Sequence, residues 1–370
     1  MIRVLQIVTY MGRGGLETMI MNYYRNIDRN KVQFDFLVHR QEEADYDKEI
    51  VALGGKIYHM PMLNPFSKSY FNALDSFFKE HKYDIVHCHL DCMSAYPLKI
   101  AQKNGVRVRI AHSHNKSQDK NLKYPIKLYS KRLIPKYATH LLSCGKAAGD
   151  WMFNGKPYTI LNNAIDAQSY RFDKQIREEM REQLGFNQED FVIGHVGRFN
   201  PQKNHNFIID VFNFVHKKNT AAKLVLVGTG DGQKAIKEKV ESLALSDSVL
   251  FLGNRTDVNK ILQAMDVFLF PSLYEGLPLS IIEAQAAGLP CVISDNVPSE
   301  CIVTDLIEAA SLDDALAKWE IVITSKKSVK RKDTYELIKK SGFDVKSNVL
   351  VLEKMYYTCL LYTSDAADDL

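Results

Sequence analysis

No stretch of the 370 residues approaches the eighteen or so consecutive apolar residues of a membrane span, so no transmembrane helix is expected. A signal-peptide pattern is missing too: the chain opens directly on a strand, Ile2 to Val8, and a cytoplasmic location is expected. Cysteine is sparse. Cys88, Cys92, Cys144, Cys291, Cys301 and Cys359 are scattered and mostly in apolar surroundings, as reduced thiols of a cytosolic protein would be. Glycine is lacking where a dinucleotide fingerprint needs it. In Gly12-Arg13-Gly14-Gly15-Leu16-Glu17 the last glycine position is Glu17, and the second strand ends in His39 and Arg40 instead of an acid, which disfavours a nicotinamide enzyme. Acids are nearly absent from Lys99 to Lys136, where eleven Lys and Arg face one carboxylate, Asp119. Residues 1–160 carry a net charge of +10 and the rest −6, so this basic region is a candidate docking face for an anionic surface.

What is present is a rhythm of short apolar strands and amphipathic helical stretches. Strands are predicted at Val4 to Val8, Phe34 to Val38, Lys56 to His59, Ile85 to His89, Val106 to Ala111, His140 to Ser143 and Thr159 to Leu161. The pattern restarts at Phe191 to Val196, Lys223 to Val227, Val249 to Leu252, Val267 to Phe270 and Cys291 to Ser294. Alternation of this kind predicts α/β architecture: two doubly wound parallel-sheet domains, residues 1–163 and 164–345, with the polar segment Asn162 to Gln183 as linker and a cleft lined by strand carboxyl ends. A closing helix is expected at 346–358, packing back on the first domain. Residues 359–370 resemble translated sequencing-adapter sequence and are expected to be a non-native tail.

The chemistry concentrates in Glu275-Gly-Leu-Pro-Leu-Ser-Ile-Ile-Glu283, where two carboxylates straddle a predicted helix start with Pro278 as its first residue. Glu275 falls in the loop, where free amides collect anions. Glu283 falls inside the helix among Ile281, Ile282, Ala284, Ala286 and Ala287, anomalous company for a carboxylate. One anion site between two hydroxyl-accepting carboxylates suits a phosphorylated sugar. Arg198 and Lys203, in His195-Val-Gly-Arg-Phe-Asn-Pro-Gln-Lys203, end another strand and could neutralise a diphosphate; alone they could equally be loop cations. Gly228 and Gly230 permit close approach of a ligand, or simply a tight turn, and Arg255 faces a nucleotide or solvent. Gly14 and Gly15 fit a loop through which a phosphate or sugar reaches a helix start, with Glu17 complementing the helix dipole. The histidines of His87-Cys-His89 and His112-Ser-His114 match no common zinc spacing, so no metal is expected. His112 and His114, read as following a strand at the cleft edge, are better suited to a sugar hydroxyl.

Taken together, residues 1 to about 358 resemble the retaining glycosyltransferases of family 4, whose two Rossmann-like domains form the arrangement called GT-B, facing a central cleft. The segment Arg109-Ile-Ala-His-Ser-His-Asn115 is similar to exopolysaccharide and capsule members. The resemblance implies that Arg198 and Lys203 hold the donor diphosphate, Glu275 a hydroxyl of the transferred sugar and Glu283 the ribose, with His114 beside the sugar. Gly14, Gly15, Gly228, Gly230, Arg255, Gly276 and Leu279 would line the substrates. Two positions depart from the family: Pro278 replaces a common glycine, removing a backbone donor, and Asn163-Ala-Ile-Asp166 replaces Asn-Gly-Ile-Asp. The implied reaction takes a sugar from a nucleotide-sugar, UDP-linked for preference, to a lipid-linked saccharide in surface polysaccharide synthesis. No metal or other cofactor is implied, and nucleic acid is not an expected partner. Leu122 to Lys136 mixes cations with Leu, Ile and Tyr, as a segment meeting the inner face of the cytoplasmic membrane would, with Pro125 and Pro135 limiting its helix. A nucleotide-sugar epimerase of the same architecture and a catalytically silent sugar-nucleotide-binding subunit are the alternatives.

Overall fold

The computed structural model describes residues 1–115 and 122–365, with side chains to Leu361. Lys116, Asp119 and Lys120 of the basic stretch, and residues 366–370 of the tail, lie outside the described residues. The chain forms two units, one of Met1–Ala164 together with the segment from Val345, the other Ile165–Asp344.

The first unit is built on β1 (Ile2–Ile7), β2 (Val32–Val38), β3 (Ile57–His59), β4 (Ile85–Cys88), β5 (Val108–Ser113), β6 (His140–Ser143) and β7 (Thr159–Ile160), in the spatial order β3-β2-β1-β4-β5-β6-β7. The second unit uses β8 (Phe191–Val196), β9 (Ala222–Val227), β10 (Val249–Gly253), β11 (Val267–Phe270), β12 (Cys291–Ser294) and β13 (Ile307–Ala310), in the order β10-β9-β8-β11-β12-β13. Every ladder is parallel. Strands covered by helices on both faces have no solvent side, which is why β2 is buried at every residue and β11 reads Val-Phe-Leu-Phe without alternation. Strand order reverses between β1 and β4 and again between β8 and β11, and at such a reversal the loops leaving the strand carboxyl ends diverge and open a crevice.

Several expectations need correcting. β13 was not anticipated, because Ile-Glu-Ala-Ala at a sheet edge has little apolar signal. β5 begins and ends two residues later than expected, so His112 lies within the strand and only His114 follows it. Asn162 to Gln183 is no free linker: Arg177 and Arg181 both pair with Asp266, Arg181 also donates to the carbonyls of Asn187 and Asp190, and Met180 is buried. Pro135 lies inside the helix Tyr124–Tyr137, whose last turn still closes with Ala138 N donating to Ile134 O at 2.9 Å. Only the hydrogen bond that Pro135 itself lacks is lost, close to an end where ladder bonds are running out anyway. The final helix spans Val345–Asp365 and continues past Thr358, because Leu352, Tyr356 and Cys359 form one buried stripe at helical spacing. The six cysteines are all buried.

Candidate active site

In the second unit two loops leave the reversal between β8 and β11. Asn200 caps the turn Pro201–Lys203, its Oδ1 accepting from Lys203 N at 3.1 Å. Cross-links then fix one loop on the other: Leu273 N donates to Gln202 O at 2.9 Å and Asn204 Nδ2 to Pro271 O at 3.2 Å. This scaffold holds Glu275, only 5% exposed, with Lys203 Nζ donating to Oε1 at 2.7 Å and Gln202 Nε2 to Oε2 at 3.1 Å. Lys203 Nζ also lies 4.5 Å from the centre of the Phe270 ring. A half-desolvated ion pair of this kind is costly to open for one partner alone, so the carboxylate is held in place and aimed. Gln202 had no signal in the motif; only its place one residue before Lys203 could have suggested it.

Arg198 is exposed, and its guanidinium makes no hydrogen bond or ion pair among the described residues. Gly228 and Gly230 have φ of +132° and +156°, and a Cβ on Gly230 would lie 2.5 Å from Phe199 O, while one on Gly228 would overlap the Gly197 carbonyl. These glycines let the loop after β9 pack on the loop that carries Arg198, so their need is met without a ligand. Arg255 makes a bidentate pair with Asp257, at 2.8 and 2.7 Å, instead of standing open. Gly276 is half-buried and Leu279 buried. The helix after Glu275 is Leu279–Ala286, with Pro278 at its N-cap rather than first in the helix, since a ψ of 113° keeps Pro278 extended. Glu283 is 9% exposed and its Oε1 accepts from Tyr170 Oη at 2.9 Å. Burial pushes its carboxyl up to about 7, with the Tyr170 hydrogen bond opposing. Tyr170 comes from the segment read as linker, which is why the sequence gave no hint of it.

In the first unit, Gly14 caps the helix Gly15–Asn26, with Glu17 in its first turn, and a Cβ on Gly15 would meet nothing within 4 Å. Asp45-Tyr46-Asp47 is an Asp-x-Asp sequence. Asp45 pairs with Arg13 and Asp47 Oδ2 accepts from Ala44 N at 2.8 Å, so both carboxylates serve the local turn. The reversal between β1 and β4 is filled by histidine. His87 Nε2 lies 3.1 Å from His112 Nδ1, and His89 Nδ1 lies 3.0 Å from His114 Nε2. Beyond them His89 Nε2 is 2.9 Å from Gln6 Oε1 and His87 Nδ1 is 2.8 Å from Tyr356 Oη. Donor atoms of His87, His89 and His112 lie within 4.8 Å of one another, close enough to bring a metal to mind. An ion would have to displace the Gln6 and Tyr356 hydrogen bonds and the contacts between rings. His114 is 8% exposed, and Asp91 Oδ1 accepts from its backbone N at 3.2 Å. Gln6 and Tyr356, one in a strand and one in the last helix, carry no motif that would have marked them.

Known proteins bear on this geometry. The family described as glycosyl transferases group 1 matches residues 176–319, and glycosyltransferase family 4 matches residues 13–169. EpsF of Bacillus subtilis (strain 168), named as a glycosyltransferase, is 34% identical over 368 residues, covering 96% of each chain. The UDP-Gal:alpha-D-GlcNAc-diphosphoundecaprenol alpha-1,3-galactosyltransferase of Escherichia coli is 30% identical over 259 residues, 65% of this chain and 66% of that one. Among solved structures, Anabaena Alr3699/HepE in complex with UDP and glucose superposes over 100% of both chains with a TM-score of 0.74 at 17% identity, a likeness of fold. That fold is the pair of Rossmann-like parallel-sheet domains called GT-B. With near-full-length similarity to EpsF and both halves matched by the two family descriptions, this chain belongs to the glycosyltransferases of family 4.

Proposed function

We propose that the chain transfers a sugar, with retention and without a metal ion, from a UDP-sugar to a lipid-linked saccharide during assembly of a surface polysaccharide. The observation that carries this reading is the Lys203–Glu275 pair, its carboxylate buried and cross-braced at the β8/β11 reversal. Lys203 and the exposed Arg198 supply positive charge for a diphosphate, and Glu275 accepts a hydroxyl of the sugar being moved. Glu283 takes the ribose. UDP is favoured because UDP-Gal stands in the name of the Escherichia coli relative and UDP is bound by HepE. A lipid diphosphate acceptor is favoured by the same Escherichia coli relative, whose named acceptor is an undecaprenol diphosphate.

In the reaction the bond from the anomeric carbon to the phosphate oxygen breaks, its electron pair leaving with the diphosphate. The acceptor oxygen bonds to that carbon from the same face, and its proton passes to the departing phosphate oxygen. Negative charge grows on phosphate and positive charge on the ring. Groups already held in place stabilise both without reorganising, which is where the rate gain lies. The test is incubation with a panel of UDP-sugars and a polyprenyl-diphosphate-linked saccharide, reading the anomeric configuration of the product by NMR. A product with the donor's configuration is expected. Inversion overturns retention, and conversion of the nucleotide-sugar alone, without acceptor, would make the chain an epimerase.

A further inference from the structure

The side chain of Gln202 can lie against Glu275 only one way round. A carboxamide has two N–H hydrogens at one end and an acceptor oxygen at the other. Nε2 of Gln202 donates to the backbone carbonyl of Tyr274 at 2.9 Å and to Glu275 Oε2 at 3.1 Å, so both hydrogens are used. Turned over, the amide would set its own oxygen against the Tyr274 carbonyl, which can only accept. Two hydrogen bonds in the structure therefore fix which end faces inward. Oε1, at the other end of the planar group, accepts from no side chain or backbone group among the described residues and keeps access to solvent.

That oxygen stands beside the carboxylate to which the proposed function brings the sugar. Glu275 is 5% exposed, with Lys203 on one oxygen and Gln202 on the other, so a sugar that meets its open edge also lies against the half-exposed Gln202. The backbone beneath is already fixed. Gln202 belongs to the turn Pro201–Lys203 that Asn200 caps, and its carbonyl accepts from Leu273 N at 2.9 Å. An acceptor held this firmly loses little freedom when a hydroxyl donates to it. We infer that Gln202 is a specificity-determining residue, its Oε1 accepting from a second hydroxyl of the donor sugar, other than the one that Glu275 takes. A site built to accept from a hydroxyl rejects the analogue that lacks it, because its own polar atom is then left without a partner. The sugar's part in this rests on the proposed function; the orientation of the amide does not.

The experiment crosses donors with variants of the full chain. Kd by calorimetry and kcat/KM for transfer are measured for the preferred UDP-hexose and its monodeoxy analogues, in wild type, Glu275→Gln and Gln202→Met. In wild type, two different deoxy analogues are expected to lose about threefold to tenfold, one hydrogen bond each. Glu275→Gln should abolish the penalty for one of the two missing hydroxyls in kcat/KM, and Gln202→Met the penalty for the other in both Kd and kcat/KM. UDP alone should bind wild type and Gln202→Met equally, since it carries no sugar. A Gln202→Met protein that keeps every penalty overturns the inference. So does one that silences the same hydroxyl as Glu275→Gln, because Gln202 would then act only through the carboxylate. Should Gln202→Met not fold, Gln202→Ala carries the comparison, and wild type alone refutes the inference if no analogue is penalised beyond the one that Glu275→Gln silences. A chain that shows the expected Kd pattern but passes no sugar to an acceptor refutes the transfer reading and leaves the Gln202 contact standing. One that binds no UDP-sugar refutes the donor assignment and the inference with it.

Discussion

At the scale of single residues, the two glutamates of the Glu275 to Glu283 segment sit in different chemical surroundings. Glu275 is clamped by Lys203 and Gln202, whereas Glu283 has one phenol and otherwise apolar company. Under the proposed function Glu275 meets the sugar as charge develops, so Glu275→Gln should chiefly lower kcat, while Glu283→Gln should weaken nucleotide binding by about 1 to 3 kcal/mol. Steady-state kinetics with calorimetric titration of UDP separate the two, and a folded Glu283→Gln protein that binds UDP normally refutes the ribose assignment. Glu283 also gives a pH signature. Because its folded value is raised to about 7, the folded protein holds a proton that the unfolded chain releases above the ordinary carboxyl value. Stability from this group is therefore full below the ordinary value and falls as pH rises toward 7, a loss of about 3 kcal/mol across the window. Thermal melts of wild type and Glu283→Gln between pH 4 and 8 should converge at the acid end and favour the variant near neutrality. Ribose hydroxyls donating to Glu283 would lower its value, so UDP binding near pH 6.5 should release protons, read as a dependence of binding heat on buffer ionisation.

At the scale of elements, the helix Tyr124–Tyr137 changes the docking argument. Lys131 is not available to a membrane, since its ammonium donates to Trp151 O and lies 4.4 Å from the centre of that ring. Arg109 is spent on the carbonyls of Tyr137 and Val106, and Lys103 and Arg107 pair with Asp75 and Asp84. Lys123, Arg132 and Lys136 are exposed and Lys127 is half-buried, in the same stretch as the fully exposed Leu122 and the exposed Tyr129. Converting these four cations to Ser should reduce binding to anionic vesicles, and the wild-type binding should weaken with salt. Equal binding before and after, measured by co-sedimentation, returns the helix to an ordinary surface.

The same scale shows what the sequence could announce. Continuous apolar runs such as Val267 to Phe270 were readable because a strand buried on both faces needs no polar residue, and the restart of that pattern at Phe191 revealed a second sheet. β13 escaped because an edge strand is half-solvated and carries Glu308 and two alanines. Of the candidate site, Glu275, Lys203 and His114 were picked out by motif and resemblance. Gln202, Tyr170, Gln6 and Tyr356 were not, since each owes its place to a partner between 73 and 350 residues away along the chain, a relation that no local spacing records.

At the scale of the molecule, the reading that Lys203 and Arg198 carry the charge of the diphosphate predicts that EDTA leaves transfer largely intact, with no gain on adding Mg²⁺ or Mn²⁺. Abolition by EDTA and recovery with either ion would overturn metal independence. The path of the chain holds a separate consequence. The second unit leaves and rejoins the first at neighbouring points, with Ile165 N donating to Phe343 O at 3.0 Å and Ile165 bridged to Asp344. In the ribosome's order of work this makes Ile165–Asp344 a guest inside a host. The guest has its whole sequence in hand while the host still lacks its last helix, so the guest can finish folding first. Until Tyr356 emerges, His87 Nδ1 has no phenol partner and the histidine network lacks one of its anchors. The newborn chain therefore completes its histidine network only when the last helix emerges, and a product truncated before Tyr356, however well Ile165–Asp344 folds, is born without that anchor.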